Sequence, residues 1–98
     1  MGRTAREKPI RLAEKLTHIR MSLNVSQDDM VRSLGLEGRL TREEISKYER
    51  GLRVPSLPTL LKYARTVGLI VDELIDDEMD LPRKLPRKAN RREITDPS

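Results

Sequence analysis

A concentration of long polar side chains lies between Thr41 and Gly51, in the string TREEISKYERG. Arg42, Glu43, Ser46, Lys47 and Arg50 are interleaved there with two apolar positions, Ile45 and Tyr48. Such residues can hydrogen-bond and pair charges with a partner. A guanidinium can grip O6 and N7 of guanine with two hydrogen bonds, and a carboxylate can accept from N4 of cytosine. Ser46 and Lys47 stand one and two positions beyond Ile45, on helix flanks that can point outward. Bond-making chemistry has no candidates. There is no nucleophile–base constellation and no P-loop, and His18 is the lone histidine, so the chain does not read as an enzyme. The absence of cysteine excludes disulfides and thiolate metal sites, and it fits a reducing cytoplasm. The acids between 72 and 80 lack the spacing and glycine of a calcium loop. No cofactor is expected.

The elements that must position this segment are helical. The apolar positions Leu12, Leu16, Ile19 and Leu23 recur at helical spacing, predicting a first helix from Pro9 to Leu23. Ser26 suits the N-cap of a second, with Asp28 and Asp29 in its first turn, Met30 and Leu34 inward, and Gly35 at its end. Thr41 and Glu44 have the spacing of a capping box, opening a third helix over about 42–50 with Ile45 and Tyr48 on its buried side. Ser56 caps a fourth, with Leu57, Leu60, Leu61 and Ala64 on its inner face. A short fifth is expected over about Val71 to Asp77, anchored by Leu74 and Ile75. With no Phe or Trp and only two Tyr, the core must come from Leu, Ile, Val and Met, which pack most readily between helices. A core of this size supports a stability of about a few kcal/mol.

Charge is unevenly placed. Residues 1–70 hold 14 Lys and Arg against 8 Asp and Glu; residues 71–80 hold none against 6; residues 81–98 hold 6 against 2. A basic body is followed by an acidic block and a basic tail, and the whole carries +4. A basic body points to a polyanionic partner. Three segments follow: a flexible basic arm over 1–8, a folded domain over 9–80, and a basic tail over 81–98 too poor in apolar residues to fold alone. No apolar run is long enough to cross a membrane, so no membrane partner is expected.

The strings SQDDMVRSLG, ISKYERG, VPSLPTLLKYARTVGL and DELI, in this order, resemble the Cro and phage-repressor family, also called the XRE family. The resemblance covers about Arg11 to Ile75. It implies an all-α, five-helix lambda-repressor-like domain that binds double-stranded DNA through a helix-turn-helix and usually acts as a homodimer. Gln27 matches the glutamine that opens helix two, touches phosphate and buttresses the recognition helix. Arg42, Glu43, Ser46 and Lys47 match positions that reach base edges or nearby phosphates. Arg50 and Arg53 match the end of the recognition helix and the loop along the DNA backbone. Arg20 and Glu49 match a structural pair bridging helix one to helix three.

The chain departs from that pattern in the turn between helices two and three. Gly35 and Ile45 are separated by LEGRLTREE, about four residues more than is usual, and Val31 stands where a small residue is normal. Either the two helices are spaced more widely or Leu36 and Leu40 fold back to extend the core. Arg39 in this turn can face DNA or water. The acidic block reads as a solvated surface, a DNA-repelling guide or a partner for the tail. The tail bases Arg83, Lys84, Arg87, Lys88, Arg91 and Arg92 can follow phosphates or a minor groove, or simply solubilise the chain. The function expected is that of a sequence-specific transcription regulator. The alternative is a protein-interaction module of the antitoxin or adaptor kind, with a protein partner and DNA binding secondary.

Overall fold

The computed structural model describes residues 9–82 and Leu85. Among the described residues there are five helices and no strand: α1 Leu12–Leu23, α2 Gln27–Ser33, α3 Arg42–Glu49, α4 Leu57–Thr66 and α5 Val71–Ile75. The domain is all-α, as its apolar periodicity predicts. The expected arm over 1–8 and the six tail bases lie outside the described residues.

Short polar side chains start the middle helices. Ser26 Oγ accepts from the Asp29 N–H at 3.0 Å, and Ser56 Oγ accepts from the Thr59 N–H at 3.3 Å. Thr41 Oγ1 accepts from the Glu44 N–H at 3.3 Å while Glu44 Oε1 accepts from the Thr41 N–H at 3.1 Å, a complete capping box. Each such cap contributes about 1 kcal/mol. At the other end of α2, Gly35 turns left-handed at φ 74°. Its N–H and that of Leu36 then reach the carbonyls of Arg32 and Val31, at 3.0 and 3.1 Å. A side chain at Gly35 would resist that φ, which is why glycine ends the helix.

The long turn that follows is itself part of the core. Leu36 and Leu40 are both buried, and Leu40 and Arg39 donate backbone hydrogen bonds to the Leu36 carbonyl. The extra residues thus carry two apolar anchors inward and leave Glu37, Gly38 and Arg39 at the surface. Around them pack Leu12, Leu16 and Ile19 of α1, Met30, Val31 and Leu34, Ile45 and Tyr48 of α3, and Leu74 of α5. Leu16, Ile19 and Leu74 have no exposed surface; full burial of such a side chain contributes about 1.5–3 kcal/mol.

Four expectations need correction. The first helix starts at Leu12, not Pro9. The Ile10 and Arg11 N–H groups donate to the Asp77 carboxylate, at 2.9 and 3.0 Å, and this holds the chain before Leu12 outside the helix. In α4 the buried stripe is Leu60, Tyr63, Ala64 and Val67, while Leu57 and Leu61 are exposed. Tyr63 is fully buried, so the inward face of α4 is turned toward it and away from Leu61. The fifth helix stops at Ile75, since Asp76 is extended with ψ 110°. Within it only Leu74 is buried, and Ile75 faces outward. Past the expected boundary at 80, Leu81 and Leu85 still pack partly buried against the core.

Candidate nucleic-acid interface

The helix α3 separates its faces cleanly. Ile45 is fully buried and Tyr48 is nearly so, whereas Arg42, Glu43, Lys47 and Arg50 are exposed and Ser46 is half-exposed. The capping box fixes where this rod begins, and Gly51 at φ 74° fixes where it ends. There the Gly51 and Leu52 N–H groups meet the carbonyls of Tyr48 and Lys47, at 3.2 and 2.9 Å. The polar flank is therefore held on a rigid backbone, and only its side chains can adjust.

Those side chains are lightly committed. Arg42 Nε lies 3.8 Å from Asp28 Oδ1, with 58% and 66% of the two side chains exposed. So open a pair contributes about 0–1 kcal/mol and is easily exchanged for another partner. Arg50 Nε donates to Ser46 Oγ at 3.1 Å, which aligns two of the outward residues with one another. The side chains of Glu43, Lys47 and Arg53 form no hydrogen bond or ion pair among the described residues, and Arg53 lies exposed in the loop after α3. Arg39 in the long turn is equally uncommitted.

Beneath the flank is a tighter polar cluster. Arg20 Nε donates to Glu49 Oε2 at 2.8 Å and Arg20 Nη2 to Glu49 Oε1 at 3.1 Å. Its third nitrogen donates to the Val25 carbonyl at 2.9 Å. Gln27 Nε2 donates to the same Glu49 Oε1 at 3.2 Å. Three helices thereby meet on one carboxylate. The Arg20 and Glu49 side chains are only 16% and 6% exposed, so this pair outweighs an exposed one. The hydrogen bonds to Glu49 push the Arg20 guanidinium above its ordinary value, against the opposing effect of burial. Gln27 thus buttresses α3 through a hydrogen bond. Among the described residues its amide oxygen has no side-chain hydrogen-bond partner.

Several functional groups escape a reading of the sequence. Lys15 is 2% exposed, and its ammonium donates to the carbonyls of Glu73, Asp76 and Met79 at 2.8, 2.9 and 2.6 Å. Three donors meet three acceptors. Burial lowers its pKa. Arg11 donates to the Asp77 carbonyl at 2.8 Å and pairs with Asp80 at 2.7 Å. The backbone N–H groups of Arg11 and Ile10 hold the Asp77 carboxyl below its ordinary range. Part of the acidic block is therefore a strap tied to α1 through Asp77 and Asp80, while Asp72, Asp76, Glu78 and Asp80 keep the exposed surface expected of such a run. Tyr63 is fully buried and its hydroxyl has no partner; burial raises its pKa. The signal for Lys15 and Tyr63 was their place on apolar stripes, beside Leu16 and Ile19 and between Leu60 and Val67.

Among the described residues no group of His, Cys, Asp and Glu could hold a metal ion, and no helix is long and apolar enough to cross a membrane. No curated protein and no solved structure matches the chain. A family model described as a helix-turn-helix domain matches residues 13–78, from the first turn of α1 into the acidic strap. With its five helices, capped α3 and outward polar flank, the chain belongs to the helix-turn-helix domain family, one typical of XRE-like regulators.

Proposed function

We propose that this protein binds double-stranded DNA sequence-specifically as a transcription regulator, with α3 in the major groove. The observation that carries this reading is the outward flank of α3. Of its three glutamates, Glu44 closes the capping box and Glu49 is taken by Arg20. Glu43 is left as the one uncommitted acid beside Arg42, Lys47 and Arg50. A flank so weighted suits an anionic partner better than the protein partner of an interaction module.

In this reading Arg42, Glu43, Ser46 and Lys47 face base edges, and Gln27, Arg50 and Arg53 face phosphates. Phosphate contacts set register and supply most of the affinity, while base contacts choose the sequence. The protein acts in the cytoplasm as a homodimer, reading half-sites about 34 Å apart or a multiple of that.

Anisotropy titration against random duplex at two salt concentrations, followed by selection from a random DNA pool, tests it. Binding at low salt and a recovered consensus are expected. Arg42→Ala should then relax preference at one base pair, by about 1–3 kcal/mol. Arg53→Ala should weaken all sites about equally and reduce the salt slope by about 1. Absence of binding at low salt overturns the reading. Identical effects from the two substitutions overturn the separate roles.

A further inference from the structure

The long turn between α2 and α3 has a cleft on each side, and the two differ in charge. Toward α2 and the start of α3, Asp28, Glu37 and Glu43 share a cleft with Arg32 and Arg42, so acids and bases are balanced there. Toward α4 the turn encloses a second cleft of about 250 Å³, whose charged residues are both basic. Arg39 comes from the turn and Lys62 from α4; Ser56 and Thr59 add hydroxyls, and no acid lines this cleft among the described residues. Leu40 lines both clefts, so only the turn itself separates them.

Both cations are mounted on fixed backbone. Leu36 and Leu40 are buried to either side of Arg39 in sequence, and the Arg39 N–H donates to the Leu36 carbonyl at 2.9 Å. Lys62 stands within α4, between the buried Leu60 and Tyr63. Neither side chain forms a hydrogen bond or ion pair among the described residues, whereas Arg11, Arg20, Arg32 and Arg42 each face an acid of this chain. Ser56 Oγ donates to Thr59 Oγ1 at 3.0 Å, and that pair leaves the Thr59 hydroxyl proton unused. Two like charges and a spare O–H thus surround one opening without a counter-charge. An anion with several acceptor oxygens completes such a site.

We propose that this cleft is a phosphate site, in which Arg39, Lys62 and the Thr59 hydroxyl hold a backbone phosphate of duplex DNA next to the base pairs met by the start of α3. This rests on the DNA-binding reading above and extends it, since none of the three residues belongs to the α3 flank. Arg39 stands three positions before Arg42, with only Leu40 and the Thr41 cap between them. A duplex met by Arg42 therefore brings its sugar–phosphate strand close to the turn, and a phosphate held there fixes register without choosing sequence. The lengthened turn supplies Leu36, Arg39 and Leu40 to the cleft, so a turn of ordinary length would lose the site.

The test uses the full chain with Arg39→Gln and Lys62→Gln together. It is compared with the unaltered chain, with Arg39→Lys, and with Arg65→Gln, which removes an exposed base of α4 that does not line the cleft. Affinity for random and selected duplex is measured across salt, and the selected duplex is scanned with single methylphosphonates, each removing one phosphate charge. Loss of one phosphate contact should lower the dependence of log K on log salt by about 0.9. It should weaken both duplexes about three- to tenfold at low salt, with the consensus unchanged. Arg39→Lys and Arg65→Gln should keep the slope. One methylphosphonate beside the base pairs met by α3 should weaken the unaltered chain and leave the double variant unaffected. An unchanged slope, or a scan with no position that depends on the two cations, overturns the site and leaves the role of α3 standing. An equal loss in Arg65→Gln also overturns it, because the effect would then be one of net charge. Inorganic phosphate is titrated into the free protein at constant ionic strength. If it shifts the NMR signals of Thr59 and Lys62 while the double variant binds duplex undiminished, the cleft takes a free phosphate and the duplex assignment falls. Failure of the unaltered chain to bind any duplex overturns both readings.

Discussion

Two regions of this molecule are rich in charge and use it in opposite ways. Where the strap meets the start of α1, nearly every charged group is turned on the chain itself: Lys15 on three carbonyls, Arg11 on Asp80 and a carbonyl, Asp77 on two N–H groups. Along α3, Arg42 has one long contact to Asp28, Arg50 leans on Ser46, and Glu43 and Lys47 are uncommitted. The first region spends its polar groups on stability; the second leaves them for a partner. The difference is one of neighbours rather than composition. Lys15 sits on the apolar stripe of its helix, where desolvation demands a full set of acceptors. Lys47 sits two positions past its stripe, where water serves.

The contrast can be broken by substitution. Lys15→Met should have the largest effect, about 3 kcal/mol of stability in a denaturant titration, because three partly buried carbonyls lose a charged donor at once. A loss under about 1 kcal/mol would mean that the strap is not held by that ammonium. Glu49→Ala, under the α3 flank, should cost about 2–3 kcal/mol, less than a fully buried pair because Arg20 retains some contact with water. It should also blur base preference, since α3 loses its tie to Gln27. Lys47→Ala on the open flank should change stability by less than about 0.5 kcal/mol, and a larger cost would place it among the structural residues.

Two smaller effects sharpen the picture. Tyr63→Phe should stabilise the domain by about 1 kcal/mol in the same titration, by removing a buried hydroxyl without a partner; a loss would reveal a partner for it. Asp77→Asn tests the strap through pH. The Asp77 carboxyl titrates below its ordinary value when folded, so its contribution is present above that value and disappears as pH falls through the folded pKa. Wild type should thus exceed Asp77→Asn in stability at neutral pH, and the gap should close below about pH 4. A gap that persists in acid would assign the effect to something other than the carboxylate.

Local signals made most of the fold legible. Ser26, Thr41 with Glu44, and Ser56 each act over three residues, so their caps can be read directly from the string. The stripe of Leu12, Leu16 and Ile19 is likewise local, and so is the buried side of α3. What stayed hidden acts across the chain. Asp77 meets Arg11 across 66 positions, and no periodicity distinguishes the acid that turns inward from Asp72 or Glu78 beside it. The periodicity that extends the first helix back to Pro9 cannot register that contact, nor can a run of exposed acids show which one ties down the chain. In the candidate interface, Ile45 marked which positions of α3 face outward. The Arg20–Glu49 pair and the buttressing role of Gln27 are legible only through family resemblance, and that Gln27 acts through the same Glu49 is visible in the structure alone.

The ammonium of Lys15 has a consequence for how the chain is made. Its three acceptors belong to Glu73, Asp76 and Met79, which leave the ribosome some sixty residues after it does. Until they emerge, the earliest helix carries an unsatisfied cation in the middle of its apolar stripe, and burying that stripe is costly. Packing of α1 therefore waits for synthesis of the whole domain, and a nascent chain stalled before residue 79 should remain open to protease along α1.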